Sequence, residues 1–548
     1  MDTGLNMNPM TVAAPGIALP DAEALAAQHK AEQAEREQAR AKDFARFGKA
    51  AAVFAVLYVV CLYKNHSGIT YPFFMAAMLY LTHRYHKRDG IRTWQGTRRW
   101  KLLRVFYMAA LMLLAISKCT TASEPLLFFD GAAICLLSVC YLLHLFTDVS
   151  TWGIGRHARA MCALFLAPAA RVLKPLLDAA AFRKLRPASD VAGPKKSWAP
   201  VLAGVAISVP LLFVVMLLLS SADVVFRTLV DRMVNALRLE NIPDFVTDII
   251  KVTLTGAGAF VACYALLSRL TEARPFGREG SGRRFAAATA ITVALLLGVV
   301  YAVFSVIQIA FLFIGNMTLP QGYTYAEYVH EGFYQLLFVS ALNLLLVLLG
   351  KSLFEKSKVL QAMLAFISLC TYIMIASGAL RMVMYIRAYH LSFLRVLVLW
   401  FLAVEAVLLT GLIVSIFKER FPLFAFGVVT VSVLYLALAL AHPDYHIARY
   451  NLARHLTPEA TVETYTSEAL YSWNGYLDES YLWWSLSQDA VPALVQDEAQ
   501  VAAAADPGTI AFNGKKNQMA AWQYRTLLQK VRGFNFSEWY AWYLLRKV

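Results

Sequence analysis

The chain has 548 residues, of which 59% are hydrophobic and only 16% charged, and its mean hydropathy is +0.53. Soluble proteins carry about 25% charged residues, so this composition excludes a water-soluble enzyme. The formal net charge is +15, but the basic residues lie between apolar stretches, which indicates membrane orientation rather than nucleic-acid binding. We therefore predict an all-α, multi-pass membrane protein with the lipid bilayer as a partner and no nucleic acid.

The N-terminal segment, residues 1–47, is polar and has no apolar core of the kind found in cleaved signal peptides. From Asp21 onward it is rich in good helix formers but lacks an apolar stripe, which predicts a solvated, cytoplasmic helix. A coiled coil is the alternative, but it requires apolar a and d positions that this segment does not have. The cytoplasmic N-terminus is one place where a protein partner is expected.

Apolar stretches of membrane-spanning length follow and define a transmembrane domain over residues 48–441. They number eleven, at 48–63, 68–82, 102–117, 124–146, 198–220, 247–270, 286–314, 332–350, 359–380, 392–417 and 421–441. The second is short, and an apolar bridge with arginines joins the ninth and tenth. Ten or twelve spans are therefore alternatives.

The connections between the spans alternate in charge. HRYHKRDGIRTWQGTRRWK, between the second and third spans, is strongly basic, whereas NMTLPQGYTYAEYVHEG contains no Lys or Arg. Because cytoplasmic connections carry the excess of basic residues, the N-terminus is predicted in the cytoplasm. Eleven crossings then place the C-terminal residues 442–548 outside.

Two regions beyond the spans are expected to be helical. The basic connection 147–197 contains apolar clusters, which predicts either helices in the lipid headgroup region or helices that cover the bundle. Residues 442–548 have no stretch long enough to span and predict a small, mostly helical extramembrane domain, the second place where a protein partner is expected.

A polar cluster is expected at the outer end of the bundle. Glu327 and Glu331 are four residues apart and share one helix face with Tyr328 and Gln335. Such a carboxylate pair fits cation binding or acid–base work, and the alternative is a hydrated helix start at the interface. Three arginines lie in the otherwise apolar sequence of the ninth and tenth spans: Arg381, Arg387 and Arg395.

These arginines require partners because an unpaired charge in a membrane is costly. A network with the glutamates is one hypothesis, and an anionic ligand or lipid headgroup is the other.

Two polar residues are predicted near the middle of the membrane. Glu405 lies in the tenth span and Asn343 in the eighth, and an ionisable residue at this depth suggests a bundle interior or a water-filled cavity. Transport or proton coupling is one interpretation. The other is a protonated glutamate hydrogen-bonded to Asn343 or to a backbone carbonyl.

The extramembrane domain begins with HPDYHIARYNLAR, in which His442, Asp444 and His446 alternate. A metal site there would need a further ligand that the sequence does not identify. The alternative is a helix that starts at Pro443 and Asp444 and anchors the domain through Arg449 and Asn451. Seven dispersed cysteines and the lack of P-loop, GxSxG or HExxH motifs give no prediction of a metal, cofactor or catalytic residue.

Several sequence blocks carry a family resemblance: LLLSSADVVF, LPQGYTYAEYVHEGFYQL, SGALRMVMYIRAYHLSFLR, HPDYHIARYNLAR and LDESYLWWSLSQDAVPAL. In this order, over about residues 200–495, the chain resembles bacterial polytopic membrane proteins known as domain of unknown function 4173. That resemblance implies a multi-pass protein of a bacterial inner membrane and no particular activity.

Three functions fit these observations. The first is a non-enzymatic sensing, regulatory or scaffolding protein that uses the outer cluster and the C-terminal domain. The second is a transporter or channel that uses Glu405 and Asn343, and the third is a membrane-embedded enzyme acting on a lipid or envelope substrate.

Overall fold

The computed structural model describes residues 22–88, 98–149, 152–185, 244–272, 285–310, 333–455, 481–496 and 527–547, with isolated positions between 208 and 228. Regular structure in these segments is helical, and extended backbone pairs only in one isolated bridge between Phe285 and Phe354. The prediction of an all-α fold is confirmed. The polar N-terminal segment and the first span form one continuous helix.

Sixteen α-helices lie in the described part of the chain. They are α1 (Ala22–Leu62), α2 (Thr70–Arg88), α3 (Arg98–Thr120), α4 (Glu124–Phe146), α5 (Ile154–Ala170), α6 (Lys174–Leu185), α7 (Asp244–Leu270), α8 (Ala287–Gln308), α9 (Phe333–Leu353), α10 (Lys358–Tyr389), α11 (Phe393–Phe417), α12 (Leu423–Leu440), α13 (Pro443–His455), α14 (Val491–Gln496), α15 (Leu527–Arg532) and α16 (Phe536–Lys547).

Nine of the described helices have the length and apolar composition needed to cross a membrane, or ten if α5 and α6 form one broken span. This supports a multi-pass membrane protein. Helix α2 is not among the nine, because its apolar part before His83 is about 13 residues or roughly 20 Å long. Most of the predicted span 198–220 lies outside the described residues, so the count of eleven stays a prediction.

The connection 147–197 contains two helices, α5 and α6, which meet at a bend of 61°. Pro168 lies inside α5 and Pro175 near the start of α6, and proline removes a backbone donor and obstructs the preceding turn. The first turns of α5 pack against α4 and α12, since His157 stacks on Phe424 with ring centroids 3.9 Å apart.

The chain divides into two compact units. The first comprises residues 1–53 and 168–268, and its described part holds the start of α1, α6 and most of α7. An aromatic cluster joins these helices, with Phe47 edge-on to Tyr264 at 5.6 Å and Phe44 at 5.5 Å from Phe182. The buried Tyr264 hydroxyl donates a hydrogen bond of 2.7 Å to Asp178.

The second unit comprises residues 54–167 and 269–548 and contains three apolar clusters. One lies among α8, α9, α10 and α11, and another among α2, α3, α4 and α12. The third is the core of the C-terminal domain, where α13 and α16 both pack against residues 481–496. Leu391, just before α11, and Phe393 and Val396 in its first turn also contact this third cluster.

Candidate functional site

Asn343 lies at the centre of the α8–α11 cluster. Buried residues recur along α9 at Ser340, Asn343, Val347 and Gly350, so this face of the helix turns inward. The Asn343 side chain is 0% exposed, accepts a hydrogen bond of 2.7 Å from the Tyr301 hydroxyl and donates one of 3.1 Å to Thr371. Asn343 thereby joins α8, α9 and α10.

Glu405 on α11 packs against the same buried face of α9, but it bonds to Ser340 rather than to Asn343. Its side chain is 3% exposed, and Ser340 Oγ donates to Oε2 at 2.9 Å. The second carboxyl oxygen, Oε1, has no hydrogen-bond partner among the described residues. Glu405 and Asn343 therefore do not bond to each other, and Glu405 keeps one oxygen able to bind a proton or a cation.

A second polar contact lies at the end of α8. Gln308 Oε1 accepts hydrogen bonds from Ser377 Oγ at 2.5 Å and from Arg381 Nη2 at 3.3 Å. Gln308 was not predicted from the sequence, where a single amide inside the predicted span 286–314 gave no signal. It supplies a neutral partner for an arginine that was expected to need a carboxylate.

The other two predicted arginines, Arg395 and Arg387, have different surroundings. Arg395 donates to the carbonyl oxygens of Tyr389 and His390 at the end of α10 and lies over the Tyr385 ring at 4.2 Å. This arrangement satisfies helix-end carbonyls, as basic side chains commonly do. Arg387 is exposed.

Most of the predicted outer cluster falls outside the described residues. Glu327, Tyr328 and Glu331 belong to that part, and Gln335 on α9 is exposed. The arginine–glutamate network therefore stays a prediction, as does the enzyme hypothesis that depends on it.

The start of the C-terminal domain is anchored by Asn451. Its Oδ1 accepts from the Leu391 amide at 2.8 Å and its Nδ2 donates to the Leu391 carbonyl at 2.9 Å, which ties α13 to the connection between α10 and α11. Asp444, 3% exposed, accepts from the Ser487 amide at 3.2 Å within the domain. Arg449, predicted as part of the same anchor, is exposed.

Asp489 is the centre of a second contact between the domain and the helix bundle. Its carboxylate is buried and accepts from Thr121 Oγ1 at 2.5 Å and from the Ala122 amide at 2.8 Å, both in the connection between α3 and α4. Ser537 Oγ donates to it as well, and His442 Nδ1 lies 3.3 Å away. Asp489 lies in the sequence LDESYLWWSLSQDAVPAL, where no pattern distinguishes it from the other polar residues of the domain.

The charges beside Asp489 affect two ionisable groups. The hydrogen bond to Asp489 raises the pKa of His442, aided by the charges of Asp489 and Asp444 and opposed by burial. Burial raises the pKa of Asp444. Both groups therefore hold a proton more readily in the folded domain.

A third contact involves the connection between α1 and α2. Asn65 Nδ2 donates to the Arg532 carbonyl at 3.1 Å, the Ile69 amide donates to the Phe534 carbonyl at 2.9 Å, and Arg532 Nη2 donates to the Tyr63 carbonyl at 2.8 Å. Together, the contacts of the C-terminal domain with connections 63–69, 121–123 and 390–392 are called the junction below. The three connections thus lie at one end of the second unit.

Two buried ionisable residues, Asp130 and Lys118, lie close to the junction. Asp130 on α4 is 0% exposed and accepts from the Tyr435 hydroxyl of α12 at 2.8 Å. Lys118, near the end of α3, is 6% exposed, donates to the His66 carbonyl at 3.2 Å and lies over the Tyr71 ring at 5.0 Å. These buried ionisable residues link α2, α3, α4 and α12, and they were not singled out from the sequence.

An apolar cavity of about 380 Å³ lies among α4, α5, α9, α11 and α12. Leucine, valine and alanine side chains dominate its lining, and the polar contributors are Cys140, Ser432 and Tyr435. Within the described residues, no group of three or more His, Cys, Asp or Glu side chains is arranged to hold a metal ion. The cavity fits an apolar chain rather than a charged substrate.

The comparisons with known proteins agree with a membrane protein of unassigned activity. Neither the curated proteins nor the solved structures contain a match to this chain. A family model described as a domain of unknown function, DUF4153, matches residues 108–496, from α3 to α14. The resemblance to family 4173 is not confirmed, and the matched region covers most of the chain. This protein belongs to the DUF4153 family.

Proposed function

We propose that the protein is a non-enzymatic sensing or regulatory protein of a bacterial inner membrane. Its C-terminal domain is the receiving part, and the helix bundle transmits the state of that domain. The observation that carries this proposal is the Asp489 carboxylate, which accepts hydrogen bonds from the α3–α4 connection and from Ser537 in the domain. A single buried group therefore links the two parts.

The rest of the junction supports the same role. The domain contacts three connections through main-chain groups, including both the amide and the carbonyl of Leu391. Because these bonds fix backbone positions at helix ends, a ligand or protein that shifts the domain would also shift the helices. A merely tethered domain would not need such contacts.

The test is complementation of a deletion strain, read as the genome-wide transcript profile. Asp489→Asn should leave the profile of the deletion strain unrestored, because the amide cannot accept all of the bonds that the carboxylate accepts. Glu124→Gln is the matched control, since Glu124 is exposed and adjoins the same connection, and it should restore the profile. Membrane abundance of each variant is measured alongside. Full restoration by an equally abundant Asp489→Asn protein would contradict the proposal.

A transporter is the second candidate, and Glu405 favours it. A buried carboxyl whose Oε1 has no partner among the described residues is a group able to bind a proton or cation within the bundle. Under this function, Glu405→Gln should fail to complement while Asp489→Asn complements at least partly. The opposite pattern supports the sensing role.

A further inference from the structure

A cleft with a charged lining lies in the first unit, at the bend between α5 and α6. It has a volume of about 530 Å³, within the range of small-ligand pockets. Its basic side chains are Arg36, Arg40, Arg171 and Lys174, and its acidic ones are Asp43 and Asp178. Four positive and two negative charges leave a net charge of +2.

The two carboxylates are already engaged. Asp43 pairs with Lys174 at 2.9 Å, and Asp178 accepts from Tyr264 at 2.7 Å and lies 4.0 Å from Lys174. Lys174 is thus neutralised within the cleft, and neither carboxylate forms a salt bridge with Arg36 or Arg40. Arg171 also lines the cleft, where it donates to Ser268 Oγ at 3.3 Å.

Arg36 and Arg40 are the two guanidinium groups available on α1. Arg36 is 76% exposed and its nearest acid, Glu32, lies 3.8 Å away along the same helix. Arg40 is exposed and makes no hydrogen bond within the described part of the chain, although it is attracted by Asp178 at longer range. The two are four residues apart, so both point to one face. Such planar, forked donors match the oxygens of a phosphate.

The remaining lining of the cleft is apolar. Val172 is 52% exposed and Leu177 is 45% exposed, and both border the cleft on the side of the bend. Asp43 lies about seven residues, or roughly 10 Å along the helix axis, before the uncharged stretch of α1 that starts at Ala50. Charged donors beside exposed apolar side chains, this close to a membrane-spanning segment, are typical of a lipid headgroup site.

We propose that this cleft binds a phosphate ester through Arg36, Arg40 and Arg171, and that the ester is the headgroup of an anionic membrane lipid. The exposed apolar side chains favour the lipid over a soluble phosphate, because they would contact the glycerol and first methylene groups. This site is independent of the junction and of the proposed sensing role.

The test is native mass spectrometry of the full chain in neutral detergent, titrated with phosphatidylglycerol or with zwitterionic phosphatidylcholine. The double variant Arg36→Gln/Arg40→Gln should retain phosphatidylglycerol about tenfold more weakly than the wild type. The control is Lys42→Gln/Lys49→Gln, which removes the same charge from the opposite face of α1 and should bind as the wild type does. Arg171→Gln, on a different element, should weaken retention as well.

Competition with inorganic phosphate identifies the source of the ester. Retention of phosphatidylglycerol against a large excess of inorganic phosphate supports the lipid, whereas its displacement at comparable concentration would overturn the lipid assignment in favour of a soluble phosphate. If the arginine and lysine double variants lose phosphatidylglycerol retention equally, the lipid is held by nonspecific charge attraction, and the proposed binding site is wrong. Unchanged elution and melting temperature of each variant confirm that it is folded.

Discussion

Asn343 and Glu405 in the helix bundle contact neutral hydroxyl groups on neighbouring helices. Tyr301 and Thr371 bond to Asn343, and Ser340 donates to Glu405 Oε2, so these polar atoms are satisfied without burying a second charge. The sequence predicted that Asn343 and Glu405 face either the bundle interior or a water-filled cavity, because polar residues amid apolar ones avoid the lipid. It did not predict the partners, since Ser340 and Tyr301 are common in spans and carry no signal of their own.

Replacing Asn343 tests this hydrogen bonding. Asn343→Leu leaves Tyr301 and Thr371 without their shared partner, so we expect a loss of about 1–2 kcal/mol in unfolding free energy. The measurement is reversible unfolding in a defined detergent. Gln335→Ala, at an exposed position of the same helix, should change stability by about 0.5 kcal/mol or less. An equal loss of unfolding free energy in the two variants would contradict a stabilising role for the Asn343 hydrogen bonds.

The protonation of His442 should make the junction pH-dependent. Its pKa is higher in the folded domain, so its stabilising contribution is complete below about pH 6.5 and is lost as pH rises through the raised value. The raised pKa of Asp444 acts in the same direction at lower pH. We expect hydrogen exchange at the Ala122 amide to quicken as pH rises above 6.5, after correction for the intrinsic pH dependence of exchange.

The control for that experiment is His442→Asn, which does not titrate and tolerates the positive φ of 50° at this position. In this variant the corrected exchange should be independent of pH above 6.5. An unchanged pH dependence in the variant would assign the effect to another group.

At the scale of elements, the connections between helices carry the specific contacts. Helix positions followed from apolar length, and helices form at most of the predicted spans in the described part of the chain. The predicted polar helix and the first span form one continuous helix, because the good helix formers before residue 48 are followed directly by apolar residues. Contacts between residues hundreds of positions apart, such as the hydrogen bond from Thr121 to Asp489, could not be predicted because no sequence pattern indicates them.

Gly68 is the element-scale test of the junction. Its φ is +130°, and an added Cβ would lie 2.7 Å from the Arg532 carbonyl oxygen, a main-chain atom that is not free to rotate away. We expect Gly68→Ala to separate residues 532–534 from the α1–α2 connection and to quicken exchange at the Ile69 amide, which bonds to Phe534. Gly155→Ala is the control, because an added Cβ there meets nothing within 4 Å. Equal exchange in the two variants would contradict the close approach.

At the scale of the molecule, the junction makes a topological prediction. The connections 63–69, 121–123 and 390–392 all contact the C-terminal domain, and all three are among those that the charge pattern and span order predict on the outer side. We therefore expect alkaline phosphatase fused after residue 548 to be active and a fluorescent protein fused there to be dark. A fluorescent fusion would place the junction in the cytoplasm, and the receiving part of the proposed sensor would then read cytoplasmic partners.

The central claim is that Asp489 holds the C-terminal domain to the helix bundle. Hydrogen exchange measured by mass spectrometry in nanodiscs tests it most directly, at residues 118–124, for wild type, Asp489→Asn and Glu124→Gln. We predict exchange about tenfold faster in Asp489→Asn and unchanged in Glu124→Gln, because only the former loses buried bonds to Thr121 and Ala122. Wild-type protection of this segment in Asp489→Asn would contradict the claim.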